Sequence, residues 1–311
     1  MDGSSHAGST GKRAHPVLPA WDDPAVDALI RPMTDADVAE AERLSDEAFT
    51  ALAEPGMPAN RSPEQQALWR ARAEHLLRTD PTGCWVAVSD DTMLGFATSF
   101  RRDLTWFLAT YAVRPALQGE GLGRALLDAA LTRSRGCLRG MLSASGDPRA
   151  FRRYRHAGFT MHPQMVMRGR VDRSALPVVE HVREGTEADF DLLDSLDRQR
   201  RDAAHGPDHA MLLDQNRLVV IDRPGGSGYA YLSHDGKPAV ICASTRRVAA
   251  TLLWEAVASA PDEITVPHVT AANEWAIDVG LAAGLSVATS GYLAVRGMKP
   301  PAPYLHHGAL L

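Results

Sequence analysis

Apolar positions first take on a regular spacing at Leu29. The stretch LIRPMTDADVAEAERLSDEAF predicts a short strand ending at Arg31, then Thr34 as a helix N-cap with Asp37 three positions on. Val38, Ala41, Leu44, Ala48 and Phe49 then recur at helical spacing. SPEQQALWRARAEHLLRTDP predicts a second helix, ended by Pro81. CWVAVSDDTMLGFATSF holds two apolar runs about a turn near Asp90–Asp91, a hairpin. LTWFLATYAV is continuously apolar and suits a buried central strand. A glycine-rich stretch follows, then the helix RALLDAALTRS, the strand CLRGMLSAS, a helix around PRAFRRYRHAG and a last strand, QMVMRGRV.

The same plan then begins again. VREGTEADFDLLDSL (182–196) repeats the layout of IRPMTDADVAEAERL (30–44). NEWAIDVGLAAGL (273–285) overlays DPRAFRRYRHAGF (147–159), and YLAVRG (292–297) overlays MVMRG (165–169). These matches fall in the same order at similar spacing, which predicts an internal duplication with its boundary near residues 170–180. The expected units are a flexible arm over 1–24, a first domain over 25–173 and a second over 178–311.

Composition narrows the class. The chain has 311 residues, 45% apolar and 23% charged, as a soluble globular protein of two domains does. A net charge of −5 excludes binding to nucleic acid by blanket phosphate neutralisation. Cys84, Cys137 and Cys242 are scattered through apolar runs and read as buried thiols, with no spacing for zinc or any other metal. No run reaches the roughly 18 apolar residues of a membrane span. The N-terminal MDGSSHAGSTGKRAHPVLPAWDDP lacks the apolar core of a secretory signal, so the expected location is cytoplasmic.

The stretch VRPALQGEGLGRALL, from Val113 to Leu127, carries the chemistry. A nucleoside-triphosphate loop needs a final Gly-Lys-Ser/Thr, and here Gly123 is followed by Arg-Ala. A dinucleotide fingerprint needs G-x-G-x-x-G after a first strand; glycines 119, 121 and 123 are spaced G-x-G-x-G, and three strands precede them. What remains is a buried strand, a proline stop and alternate glycines leading into a helix near Arg124. Such a turn aims successive N–H groups, with the helix dipole, at one anion. A plain strand-to-helix turn without ligand is the alternative that the loop alone leaves open.

The surrounding residues resemble the GCN5-related N-acetyltransferase family. V113-R-P-A-L-Q-G-E-G-L-G-R is similar to its motif V-x-P-x-x-[QR]-x-x-G-x-[GA]. Asp147, Ala150, Tyr154, Gly158 and Phe159 keep the spacing of its N-x-x-A-x-x-x-Y-x-x-x-G-F, with Asp in place of Asn. The resemblance implies a mixed α/β (α+β) sheet, here as two tandem GNAT-like domains packed in an intramolecular pseudo-dimer. It also implies acetyl-CoA as co-substrate, lying between LTWFLATYAV and CLRGMLSAS. Backbone of Gln118, Gly119, Glu120, Gly121, Leu122, Gly123 and Arg124 would hold the pyrophosphate. Tyr111, Ala112 and Val113 would hold the pantetheine arm, and Asp147 would stand beside the cofactor. Tyr154 matches the family's general acid.

An attacking amine must be neutral, yet an alkylamine has a pKa of about 10.4 in water. The base that takes its proton is not visible: LTWFLATYAV has no acid, and Glu47, Glu54, a water chain and the carboxylate of Leu311 stay open. Arg149, Arg152, Arg153 and Arg155 form a solvated basic face or, more sharply, reach a cofactor phosphate. In the second half PAVICAS runs into TRRVAATLLWEAV with no glycine, and Gly280 stands at the tyrosine position. No turnover is expected there; that half would wall the acceptor pocket. The function expected is acetyl transfer to an amine of a small molecule. A protein lysine or N-terminal acetyltransferase and a non-catalytic acyl-CoA sensor are the alternatives. Neither nucleic acid nor membrane is an expected partner, and the chain would be a monomer or homodimer.

Overall fold

The computed structural model describes residues 27–52 and 60–311. The expected arm over 1–24 and Glu54 lie outside the described residues. The first half runs β1 (Leu29–Pro32), α1 (Val38–Thr50), α2 (Pro63–Thr79), β2 (Cys84–Ser89), β3 (Thr92–Arg102), β4 (Thr105–Val113), α3 (Leu122–Leu131), β5 (Arg139–Ala144), α4 (Pro148–His156) and β6 (Thr160–Arg170). The second runs β7 (Arg183–Glu184), α5 (Phe190–Arg201), α6 (Asp208–Gln215), β8 (Arg217–Arg223), β9 (Gly226–Leu232), β10 (Pro238–Ala243), α7 (Arg246–Ser259), β11 (Glu263–Thr270), α8 (Glu274–Ala282) and β12 (Ser286–Arg296). The two series are identical in order, and a short β13 (Tyr304–Leu305) follows the second.

Local chemistry accounts for the elements. Thr34 and Asp37 form a reciprocal capping box before α1, Ser62 and Gln65 another at α2. Asp90 and Asp91 both take positive φ, which a tight hairpin turn between β2 and β3 requires. Val38, Ala41, Leu44 and Ala48 are buried as the spacing predicts, but Phe49, in the last turn of α1, is exposed.

The halves do not simply pack side by side. The large sheet has the order β1-β2-β3-β4-β5-β12-β6-β11, and the smaller one β13-β10-β9-β8-β7. Strand β12 of the second half is inserted between β5 and β6, antiparallel to both. Strand β6 of the first half in turn lies between β12 and β11. The second half therefore supplies two strands, β11 and β12, to the large sheet, while the smaller sheet is built from second-half strands alone. The structure is a mixed α/β pseudo-dimer closed by strand exchange.

A buried polar seam also joins the halves. The Arg102 guanidinium donates to Asp80 Oδ2 at 2.6 Å and to Asp208 Oδ2 at 2.9 Å, while His75 Nε2 lies 2.7 Å from Asp208 Oδ1. The chain ends inside this seam: Leu310 and Leu311 are buried, and Arg201 donates to the Leu311 carbonyl oxygen. Removing one partner of a buried ion pair leaves the other desolvated and unpaired. Arg102→Met is therefore expected to lower unfolding free energy by about 3–5 kcal/mol, read from urea melts.

The seam also makes stability depend on pH. Burial, with Arg201 nearby, pushes His205 down to about 4, and burial does the same for His306. The folded chain keeps both neutral while unfolded imidazoles, near 6.5, take up protons. Their contribution is complete above about 6.5 and is lost as pH falls toward about 4. His268 and His307, also lowered by burial, act in the same sense. His209 acts oppositely, because Asp194 and Asp197 outweigh its burial and raise it. Four groups against one predict that the melting temperature falls between about pH 7 and pH 5, measured by thermal melts in one buffer series.

Candidate active site

The site is where β4 and β5 part. Their parallel pairing ends at Leu108 opposite Leu142. At that point β4 carries a bulge: Leu108 faces Ser99 and Thr110 faces Thr98, so Ala109 has no partner on β3. The extra residue shifts the alternation of side chains. Ala109 and Thr110 line one cavity together, while Tyr111 and Val113 pack on the opposite face with α3 and α4. On its other edge β5 pairs with β12, Ala144 opposite Tyr292.

Above the fork lies the glycine loop. Gly119 and Gly121 have φ of +112° and +85°, a region that only glycine enters readily. Helix α3 starts at Leu122, two residues before the expected Arg124, and Gly121 caps it without a side chain. The N–H groups of Gly119, Gly121, Leu122 and Gly123 find no acceptor of ordinary geometry among the described residues. Four unspent donors at a helix N-terminus form an anion cradle. Gln118 ties the loop to the strand end by donating to the Val113 carbonyl at 3.0 Å. The matching helix of the second half, α7, has a side-chain cap that α3 lacks: the Thr245 hydroxyl accepts from Val248 N at 3.2 Å.

Between α3 and α4 the crevice is spanned by side chains. The Tyr111 hydroxyl donates to the Gly123 carbonyl at 2.6 Å, and Arg153 donates to that hydroxyl at 3.0 Å. Arg149 donates to Gln118 Oε1 from the other end of α4. Asp147 caps α4, accepting from Arg149 N at 2.8 Å. Burial would raise its carboxyl, but the hydrogen bonds from Arg149 hold it below the usual range. Burial pushes the Tyr111 phenol up to about 12.

Tyr154 is only 4% exposed, its ring 6.4 Å from Tyr111 and 6.5 Å from Phe159. Its hydroxyl has no hydrogen-bond partner among the described residues, and burial pushes it well above 10. Among the other expected residues, Ala112, Val113 and Leu122 are buried, whereas Glu120 and Arg124 are exposed. The candidate bases are engaged elsewhere. Glu47 pairs with Arg114 at 3.2 Å on the surface, and Leu311 is held by Arg201 and, at 3.0 Å, by the Tyr304 hydroxyl. Of the four α4 arginines, Arg149 and Arg153 face the crevice, Arg155 donates to the Phe159 carbonyl, and Arg152 is exposed.

Two residues escaped the sequence. Tyr292 of β12 brings a second-half side chain against α4, its ring 5.2 Å from Phe151. Its only sequence signal was membership of the YLAVRG repeat. Arg72 of α2 lines a cavity of about 10 Å³ on the other face of the fork, with Trp69, Thr98, Thr110 and Ala309. Burial and Arg61 lower it to about 10, and no carboxylate of the described residues faces it. Asp197, His205 and His209 are grouped as metal ligands can be. His205 Nδ1 already bonds Asp197 at 2.7 Å and the Tyr229 hydroxyl donates to the same carboxylate, a network that ties α5 and α6 to β9.

A mixed sheet whose central strands part under an uncapped glycine loop is an acetyltransferase fold. Among solved structures, a putative acetyltransferase from Pyrococcus horikoshii aligns over 95% of both chains at 20% identity and a TM-score of 0.67. A GCN5-related N-acetyltransferase from Kribbella flavida aligns over 87% of this chain and 72% of its own, at 16% identity and a TM-score of 0.55. A tandem GNAT protein from the clavulanic acid biosynthesis pathway aligns over 88% and 99%, at 14% identity and a TM-score of 0.56. No curated protein matches in sequence. Residues 46–159 match the model of the acetyltransferase (GNAT) family. Among the described residues no helix is long and apolar enough to cross a membrane.

The closeness of the crevice walls can be tested at Gly123. A Cβ there would stand 2.3 Å from the Tyr111 hydroxyl and 2.6 Å from Arg153 Nη1. Gly123→Ala must push both side chains into the crevice. The expected result in calorimetry is coenzyme A binding weakened by about tenfold or more, the equivalent of 1–3 kcal/mol of overpacking, with unchanged circular dichroism.

Proposed function

We propose that this chain is an acetyl-CoA-dependent N-acetyltransferase acting on an amine of a small molecule, with one active site per chain. Residues 25–173 form the catalytic unit, and 178–311 a partner without turnover. The carrying observation is the set of free N–H groups from Gly119 to Gly123 above the fork. That set suits a pyrophosphate, and the capped N-terminus of α7 does not.

Coenzyme A, bound there, supplies an activated acetyl thioester. The amine nitrogen bonds to the acetyl carbon, the carbon–sulfur bond breaks, the nitrogen gives up a proton and the sulfur gains one. Tyr154 is the group that holds a proton for the sulfur, since burial keeps its phenol protonated at neutral pH. Arg149 and Arg153, which now span the crevice, are placed to turn toward phosphate oxygens.

A small acceptor suits the other face of the fork, which the second half covers through Ala309. Arg72, with no carboxylate facing it, suits an amine that also carries an acidic group. Two measurements test the reading. Titration with acetyl-CoA should give one site per chain; two sites or none would overturn it. Tyr154→Phe should keep that affinity and lose about 10²–10⁴-fold of turnover, the usual worth of a general acid. Thiol release over matched pairs of amino acids and their decarboxylated amines should favour the acids.

A further inference from the structure

Tyr292 is the one side chain that the second half sends to the α3–α4 face of the fork with a polar group left unspent. It is 6% exposed, and its hydroxyl is buried with no hydrogen-bond partner among the described residues. An unpaired buried hydroxyl is a net cost to the fold. A phenylalanine would fill the same space beside Phe151 at no such cost.

Register places that hydroxyl. Tyr292 stands opposite Ala144 on β5, and Ala294 opposite Leu142, the last residue paired with β4. Tyr292 is therefore two strand positions beyond the fork, roughly 7 Å along the opening. Because side chains alternate, it shares the face of Leu142, Tyr154 and Phe159, all in one core cluster with it. Asp147, at the N-terminus of α4, is close enough for its charge to add to burial in raising the Tyr292 phenol. On the far side of the sheet its neighbour Leu293 packs into a different cluster.

We infer that Tyr292 is a cofactor-binding residue: its hydroxyl hydrogen-bonds an amide of the pantetheine arm, so the non-catalytic half supplies part of the one active site. The inference rests on the proposed function above. The arm leads from the cradle to the fork, one strand away across β5 on the face that the Tyr292 ring occupies, and it carries two amides that need partners when buried. Exchange of β12 is what brings the tyrosine there. The hydroxyl then waits unpaired in the free protein and is satisfied in the complex.

This predicts two effects of opposite sign from one substitution. Tyr292→Phe should raise the melting temperature of the free protein and weaken coenzyme A about three- to tenfold, the worth of one net hydrogen bond. Adenosine 3′,5′-bisphosphate, which has the nucleotide but no arm, should bind wild type and variant equally. Calorimetry with both ligands and melts of the free proteins read all three. Equal loss for both ligands, or a destabilised variant, would mean a structural role and overturn the inference. So would unchanged coenzyme A affinity, with the proposed function left standing. A wild-type protein that binds neither ligand overturns both.

Discussion

The insertion of β12 between β5 and β6 is the constraint on which the rest depends. A fork between two strands of a sheet leaves backbone groups without partners, and the sheet must be held together elsewhere. On its other edge β5 pairs with β12 along Gly140 to Ala144, which keeps it in the sheet past the point where β4 turns away. Strand β6, displaced from β5, is flanked by β12 and β11. The large sheet is thus built from both halves, while the smaller one holds second-half strands alone.

Within that shared frame the halves differ at two helix N-termini and one helix face. Gly121 opens α3 with a left-handed turn and no side chain, whereas Thr245 caps α7 with its hydroxyl. Tyr154 stands on α4 where α8 has Gly280, and the space beside Gly280 is filled by Met167 from the exchanged β6. A Cβ at Gly280 would stand 2.3 Å from Met167 Cε. One layout thus yields one open crevice and one packed core.

Polar burial divides in the same way. In the seam, charges are paired: Arg102 with Asp80 of its own half and Asp208 of the other, Arg201 with the chain end. Around the fork, the hydroxyls of Tyr154 and Tyr292 and the guanidinium of Arg72 are left without such partners. Native interiors satisfy nearly all their polar groups; of the buried polar atoms without a partner among the described residues, the Tyr292 hydroxyl lies by the fork and Nε2 of His205 and of His209 lie in the α5–α6 network.

The sequence by itself determined what short-range chemistry can specify. Caps at Thr34 and Asp147, the aspartate turn at 90–91, the glycine cradle and the repeated order of elements all rest on contacts between near neighbours. Tyr154 was legible because its spacing to Gly158 and Phe159 lies on one helix and its turn. The bulge at Ala109, the exchange of β6 and β12, and the arrival of Tyr292, Arg153 and Arg149 around one crevice were decided by tertiary structure alone. Strand partners are chosen by backbone hydrogen bonds that every residue can make, so apolar alternation tells which face is buried and not which strand lies alongside.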